Sequence, residues 1–72
     1  MEKVEVAVLG GSGFIGSHVV DKLDAIGYSI RILDMKVSSS HKNKHSFFEA
    51  DILDKDALKE CINGCKYVYN FA

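Results

Sequence analysis

The residues best suited to chemistry in this chain are glycines. Gly10, Gly11, Gly13 and Gly16 cluster directly after an apolar run, Val4 to Leu9, and open an amphipathic one, Ile15 to Ile26. A glycine cluster in a strand–turn–helix context is a phosphate cradle, because backbone amides and the positive end of the helix both face the anion. Two registers coexist: Gly11-x-Gly13-x-x-Gly16 and the wider Gly10-x-x-Gly13-x-x-Gly16. In either, one glycine makes the turn off the strand, one lets a diphosphate reach the backbone, and Gly16 lets the helix pack close to the strand. A Walker phosphate loop does not fit, since Gly16 is followed by Ser17 and His18 and no lysine is placed to reach β/γ-phosphates.

Carboxylates come next. Asp34 ends the second apolar run, where it can accept hydrogen bonds from an adenosine ribose. It would repel a 2′-phosphate, so NAD is expected over NADP, with Lys36 as the one opposing charge nearby. Asp51 and Ile52 follow a third apolar stretch; they suit an adenine, the carboxylate taking the amino group and the aliphatic chain lying against the ring. A turn or capping role for Asp51 is the competing reading, and Asp54 reads as a helix N-cap.

Other reactive types form no constellation. Cys61 and Cys65 lie four apart, but Gly64 falls between them at a helix end and no further ligand cluster has metal-site spacing, so both read as small core residues. His41 and His45 share that spacing in a segment without periodicity, and His18 reads as an exposed helix residue. Tyr28, Tyr67 and Tyr69 each lack a lysine four residues later, so the Tyr-x-x-x-Lys arrangement that would move a proton beside a hydride-transfer site is not seen.

The elements that must position these groups can be read in order. Lys3 to Leu9 is a strand of near-continuous apolarity, as in a sheet covered on both faces. Phe14 to Ile26 is a helix with Ile15, Val19, Leu23 and Ile26 as its expected apolar stripe and Gly27 as its stop. Ser29 to Leu33 is a second strand. Met35 to His45 is a polar crossover loop. Ser46 to Ala50 is a third strand, with Phe47 and Phe48 on opposite faces. Asp54 caps a helix over Lys55 to Asn63, and Tyr67 to Ala72 is a fourth strand. The order β-α-β-β-α-β predicts an α/β fold: a partial doubly wound (Rossmann) parallel sheet of order 3-2-1-4, with the glycine turn at the carboxyl end of the central strand.

Bulk properties agree with that class and exclude others. Seventy-two residues make one small domain of marginal core size. A net charge of −1 gives no electrostatic footprint for nucleic acid or an anionic membrane. The longest uncharged run, Val6 to Ser17, holds four glycines and is too short to span a bilayer. No signal peptide is visible, and the expected location is cytoplasmic.

Taken together, GGSGFIGSHVVDKL, the aspartate of RILD, then EADILD and YVYNFA resemble the start of an extended short-chain dehydrogenase/reductase, most of all the NAD-dependent epimerase/dehydratase group acting on nucleotide sugars. The resemblance implies that Gly10, Gly13 and Gly16 are that family's glycine motif, and that Phe14 and Ile15 offer backbone amides to the diphosphate. It further implies that Asp34 binds the adenosine ribose, that Asp51 and Ile52 hold the adenine, and that Phe71 and Ala72 form the strand end beside the cofactor. The family's catalytic Tyr-x-x-x-Lys and its sugar-nucleotide domain have no counterpart in residues 1–72, which correspond to the N-terminal half of a cofactor domain.

Three functional readings follow. In the first, a longer parent enzyme uses NAD to oxidise a sugar hydroxyl transiently; this chain grips adenosine and diphosphate, and alone it is inactive. In the second, the chain is a stand-alone dinucleotide-binding or redox-sensing module. The third, an S-adenosylmethionine methyltransferase core, is disfavoured by the Gly-Phe-Ile-Gly-Ser helix start and the Asp-Ile-x-Asp segment. An open edge on the fourth strand leads to an expectation of self-association through Tyr67 to Ala72.

Overall fold

The computed structural model describes residues 3–10, 13–36 and 45–72. The elements are β1 (Glu5–Leu9), α1 (Phe14–Ile26), β2 (Ser29–Asp34), β3 (Ser46–Glu49), α2 (Lys55–Ile62) and β4 (Tyr67–Asn70). They form one parallel sheet of order β3-β2-β1-β4, the expected doubly wound arrangement. Three of the strands are shorter than expected, β1 beginning at Glu5 rather than Lys3, β3 ending at Glu49 rather than Ala50 and β4 ending at Asn70 rather than Ala72, while β2 runs one residue further, to Asp34. Most of the polar crossover, residues 37–44, lies outside the described residues, as do Gly11 and His41.

The chain winds from β1 outward to β3, then returns past β1 to β4. Right-handed crossovers in opposite directions put their helices on opposite faces. The core is accordingly split by the sheet. On one face Val6, Val8, Ile30 and Ile32 bury Val20 and Leu23 of α1. On the other, Ala7, Leu9 and Leu33 bury Cys61 of α2. Phe47 joins the first layer and Phe48 the second, one per face as their alternation requires.

The buried face of α1 keeps Leu23 of the expected stripe, with Val19 packed against the core, and differs from it at the two ends. Gly16, Val20 and Leu23 face the sheet, while Ile15 and Ile26 are exposed. The helix turns its smallest residue, Gly16, inward. The helix then stops at Gly27, whose left-handed φ of 102° lets its amide donate to the Leu23 and Asp24 carbonyls. At the other helix, Asp54 caps α2 by accepting from the Ala57 amide at 3.1 Å.

One side chain ties the second layer together. Arg31 of β2 donates to the carbonyls of Glu60, Cys61 and Asn63 at 3.3, 3.4 and 2.5 Å, and to Glu5 Oε2 of β1 at 3.0 Å. The last turn of α2 leaves carbonyls without amide partners, and the guanidinium fork satisfies them.

Candidate dinucleotide site

All four strands run the same way, so their carboxyl ends share one edge of the sheet. The direction of winding reverses between β1 and β4, and a crevice opens beyond that point. A cleft of about 220 Å³ lies there, lined by Gly10, Gly13, Leu33, Asp34, Met35, Ala50, Asp51, Ile52, Phe71 and Ala72. A second cavity of about 300 Å³ adjoins it, lined by Gly10, Gly13, Phe14, Ile15, Gly16 and Phe71. The ten residues singled out from sequence all line one or both. Leu33, Met35 and Ala50 had no signal in their type; each enters because it ends a strand beside a residue that did.

Gly10 closes the crevice floor. Its φ of 80° is in the left-handed region, and its amide donates to the Leu33 carbonyl at 2.7 Å. A Cβ at Gly10 would lie 2.9 Å from the Ala72 nitrogen and 3.0 Å from the Phe71 carbonyl carbon. Glycine is therefore required twice, by backbone conformation and by the strand end packed against it. The Phe71 amide donates to the Leu9 carbonyl at 2.8 Å and fixes that approach.

Gly13 behaves differently. Among the described residues a Cβ there would meet only the Gly10 carbonyl oxygen, at 3.6 Å, an ordinary contact. Its missing side chain leaves room in the cleft rather than relieving a clash.

The two helix starts also contrast. That of α2 has its own capping carboxylate and an acid, Asp56, in its first turn. That of α1 has neither a side-chain cap nor an acid in its first turn. Its hydrogen-bond ladder opens with the Ser17 amide donating to Gly13 at 2.8 Å, so the amides of Phe14, Ile15 and Gly16 precede it. The partial positive charge of α1 thus faces the second cavity without compensation from its own first turn. The side chains of Phe14 and Ile15 are exposed, and the Phe14 ring meets His18 edge-on at 4.9 Å.

The carboxylates are held by their own turns. Asp34 is half-buried, and its Oδ1 accepts from the Met35 amide at 2.6 Å. Asp51 is exposed, its Oδ1 accepts from the Leu53 amide at 2.9 Å, and its carbonyl accepts from the Asp54 amide. The turn role of Asp51 is therefore present in the structure. That turn uses one carboxylate oxygen, and the residue also lies on the cleft wall with Ile52.

The thiols sit apart from this edge. Cys61 is fully buried, and burial pushes its thiol up to about 11; burial raises Cys65 as well. Cys65 Sγ donates to the Cys61 carbonyl at 3.3 Å, and both cysteines are free. Among the described residues no group of three or more His, Cys, Asp or Glu side chains could hold a metal ion. No helix among the described residues is long and apolar enough to cross a membrane.

Comparison with known proteins agrees with this geometry. A curated protein of Methanocaldococcus jannaschii, named "Putative UDP-glucose 4-epimerase", is 49% identical over 61 residues, covering 81% of this chain and 20% of its own length. The crystal structure of a Thermotoga maritima UDP-glucose 4-epimerase with UDP-glucose superposes at a TM-score of 0.82 and 32% identity. That of the Thermus thermophilus UDP-glucose 4-epimerase in complex with NAD gives 0.78 and 32%. Each of these two alignments covers 96% of this chain and 24% of the solved one. The chain therefore spans about a fifth to a quarter of the proteins it matches. The family model described as NAD dependent epimerase/dehydratase matches residues 6–72, and the chain belongs to that family.

Proposed function

We propose that this chain grips the adenosine and diphosphate of a nicotinamide dinucleotide, NAD in preference to NADP, for an epimerase or dehydratase acting on nucleotide sugars. The observation that carries this reading is the convergence of Gly10, Gly13, Asp34, Asp51 and Ile52 on one cleft beside the uncompensated start of α1. That NAD and UDP-glucose accompany structurally similar epimerases supports the choice of ligand and of substrate class.

In this reading the amides of Phe14, Ile15 and Gly16 hold the diphosphate, reinforced by the α1 dipole. The open space at Gly13 admits it. Asp34 accepts from the ribose hydroxyls, its carboxylate steadied by the Met35 amide. Ile52 and the second carboxylate oxygen of Asp51 meet the adenine. Bound dinucleotide supplies hydride transfer to and from a sugar carbon. Residues 1–72 supply position and electrostatics, and among the described residues of the cleft wall there is no tyrosine or lysine.

Calorimetric titration with NAD tests the reading. Binding is expected for the parent sequence and is expected to be lost in Gly13→Leu, whose side chain fills the cleft. Equal binding by both would refute the placement, and absence of heat or thermal shift at millimolar NAD would refute the function. Turnover of UDP-glucose with NAD by the chain alone would overturn the assignment of a purely gripping role.

A further inference from the structure

Asn63 and Gly64 follow the last turn of α2, exposed and away from the cleft. An asparagine followed by glycine carries a reaction of its own. The glycine nitrogen can attack the asparagine side-chain carbon, because no Cβ on the glycine obstructs the approach. Asn63 is the asparagine so placed; Asn43 and Asn70 precede Lys44 and Phe71, whose side chains crowd the attacking nitrogen. Among the described residues nothing holds the Asn63 carboxamide, and no acceptor takes the Gly64 amide. Nucleophile and electrophile are both free.

What is held is the bond between them. The Asn63 amide donates to the Lys59 carbonyl at 3.0 Å, and the Asn63 carbonyl accepts from Arg31 Nη1 at 2.5 Å. These two contacts fix the rotation about Cα–C at a ψ of 118°, which turns the Gly64 nitrogen away from the Asn63 side chain. Ring closure needs that bond to rotate, and the rotation carries the carbonyl off the guanidinium. We propose that Asn63–Gly64 is a self-modification site, converting by deamidation to aspartate and isoaspartate, and that Arg31 is the lock that keeps it closed in the folded chain.

The step balances with water as its one co-reactant. The Gly64 nitrogen bonds to Asn63 Cγ, the Cγ–N bond of the carboxamide breaks, and ammonia leaves with the proton that the Gly64 nitrogen gives up. Water then opens the succinimide ring at either carbonyl. One opening gives aspartate. The other gives isoaspartate, which routes the main chain through the side chain and turns the carbonyl held by Arg31 into a carboxylate. Either product adds a negative charge at the negative end of the α2 dipole.

The test is to incubate the 72-residue chain at mildly alkaline pH, folded and in urea, and to digest it with trypsin. The peptide Glu60–Lys66 holds no other asparagine, so its amide-to-acid mass gain reports Asn63 alone. The folded parent is expected to react slowest and the urea-denatured chain fastest. Arg31→Met is expected to speed the folded chain by roughly tenfold, the scale of a hydrogen bond to a charged group. Gly27→Ala is the control, since it strains the end of α1 without touching Asn63. The two variants are compared at urea concentrations that give them equal stability. Arg31→Met should remain the faster there; equal rates would overturn the lock, because global unfolding would then explain both. Arg31→Lys, with one ammonium in place of the fork, is expected to fall between parent and Arg31→Met, and it decides the same comparison if the methionine variant does not fold. A folded parent as fast as the denatured chain would also overturn the lock, and no mass gain in urea would overturn the site.

Discussion

Replacing Gly10 with alanine should damage the fold far more than the same change at two other glycines, and the reason is steric. Gly27 and Gly10 both have left-handed φ, 102° and 80°. An alanine in that region costs about 1–2 kcal/mol from backbone strain alone. At Gly27 nothing lies within 4 Å of the added carbon, so strain is the whole effect. At Gly10 the added carbon meets backbone atoms of Phe71 and Ala72 at 2.9–3.1 Å, and backbone cannot rotate away. Overpacking of that kind adds about 1–3 kcal/mol. The sum, about 2–5 kcal/mol, is a large share of the roughly 4–11 kcal/mol that a chain of this length commands at about 0.05–0.15 kcal/mol per residue. Gly13→Ala is the control, because φ of −73° suits alanine and its single contact is at 3.6 Å. It should stay within about 1 kcal/mol of the parent. Thermal unfolding followed by circular dichroism should place Gly10→Ala roughly 5–20 °C below Gly27→Ala, at about 4–8 °C per kcal/mol. Equal melting of the two would refute the claim that the ends of β1 and β4 are packed around a missing side chain.

Three further outcomes are expected. Arg31→Met removes donors from the Glu60, Cys61 and Asn63 carbonyls and should cost about 1–3 kcal/mol, read as a lower urea midpoint at unchanged m; Glu5→Gln, which spares those carbonyls, should cost less than about 1 kcal/mol. Cys61 stays protonated in the folded chain until about pH 11, whereas an unfolded thiol ionises near 9, so the unfolded state binds fewer protons in that window and stability should fall as pH rises through it; Cys61→Ala should flatten that fall in urea titrations, and an unchanged slope would refute the burial argument. The Phe71 amide donates to Leu9, so by alternation and register the amides of Tyr67 and Tyr69 face β1 and those of Val68 and Asn70 face the outer edge of β4, where the Val68 side chain is also exposed. Sedimentation of the 72-residue chain should therefore show concentration-dependent dimers that Val68→Lys suppresses; a monomer at every concentration would remove the edge-pairing argument.

Much of this is legible in the sequence because the informative residues are unusual in type. Glycines at a strand end, an acid closing a second strand and a capped helix start each carry a local reason for their position. What fails to show is set by distance or by depth. Periodicity finds Leu23 and Val19 of the α1 face but misses Val20 and Gly16, the latter because it has no side chain to weigh. Ile15 and Ile26 score as core yet face outward. Arg31 looks like a solvated strand residue; its partners at the end of α2 and at Asn63 just beyond it lie 29 to 32 positions away and become neighbours only when that helix docks. Leu33 and Ala50 line the cleft through strand order alone. Asp51 reads as both a ligand group and a turn residue, and its two oxygens leave space for both.

The cleft wall gathers residues 10, 13, 33 to 35, 50 to 52, 71 and 72, from nearly the whole length of the chain. The wall is incomplete until β4 pairs with β1, because only then do Phe71 and Ala72 join it. A ligand seated there would make its full set of contacts only in the finished fold. By mass action, dinucleotide at about a hundred times its dissociation constant would add about 2.7 kcal/mol to the folded state. For so small a domain that is a substantial fraction of the whole, so the cofactor would act as a non-covalent clasp between the first strand and the last.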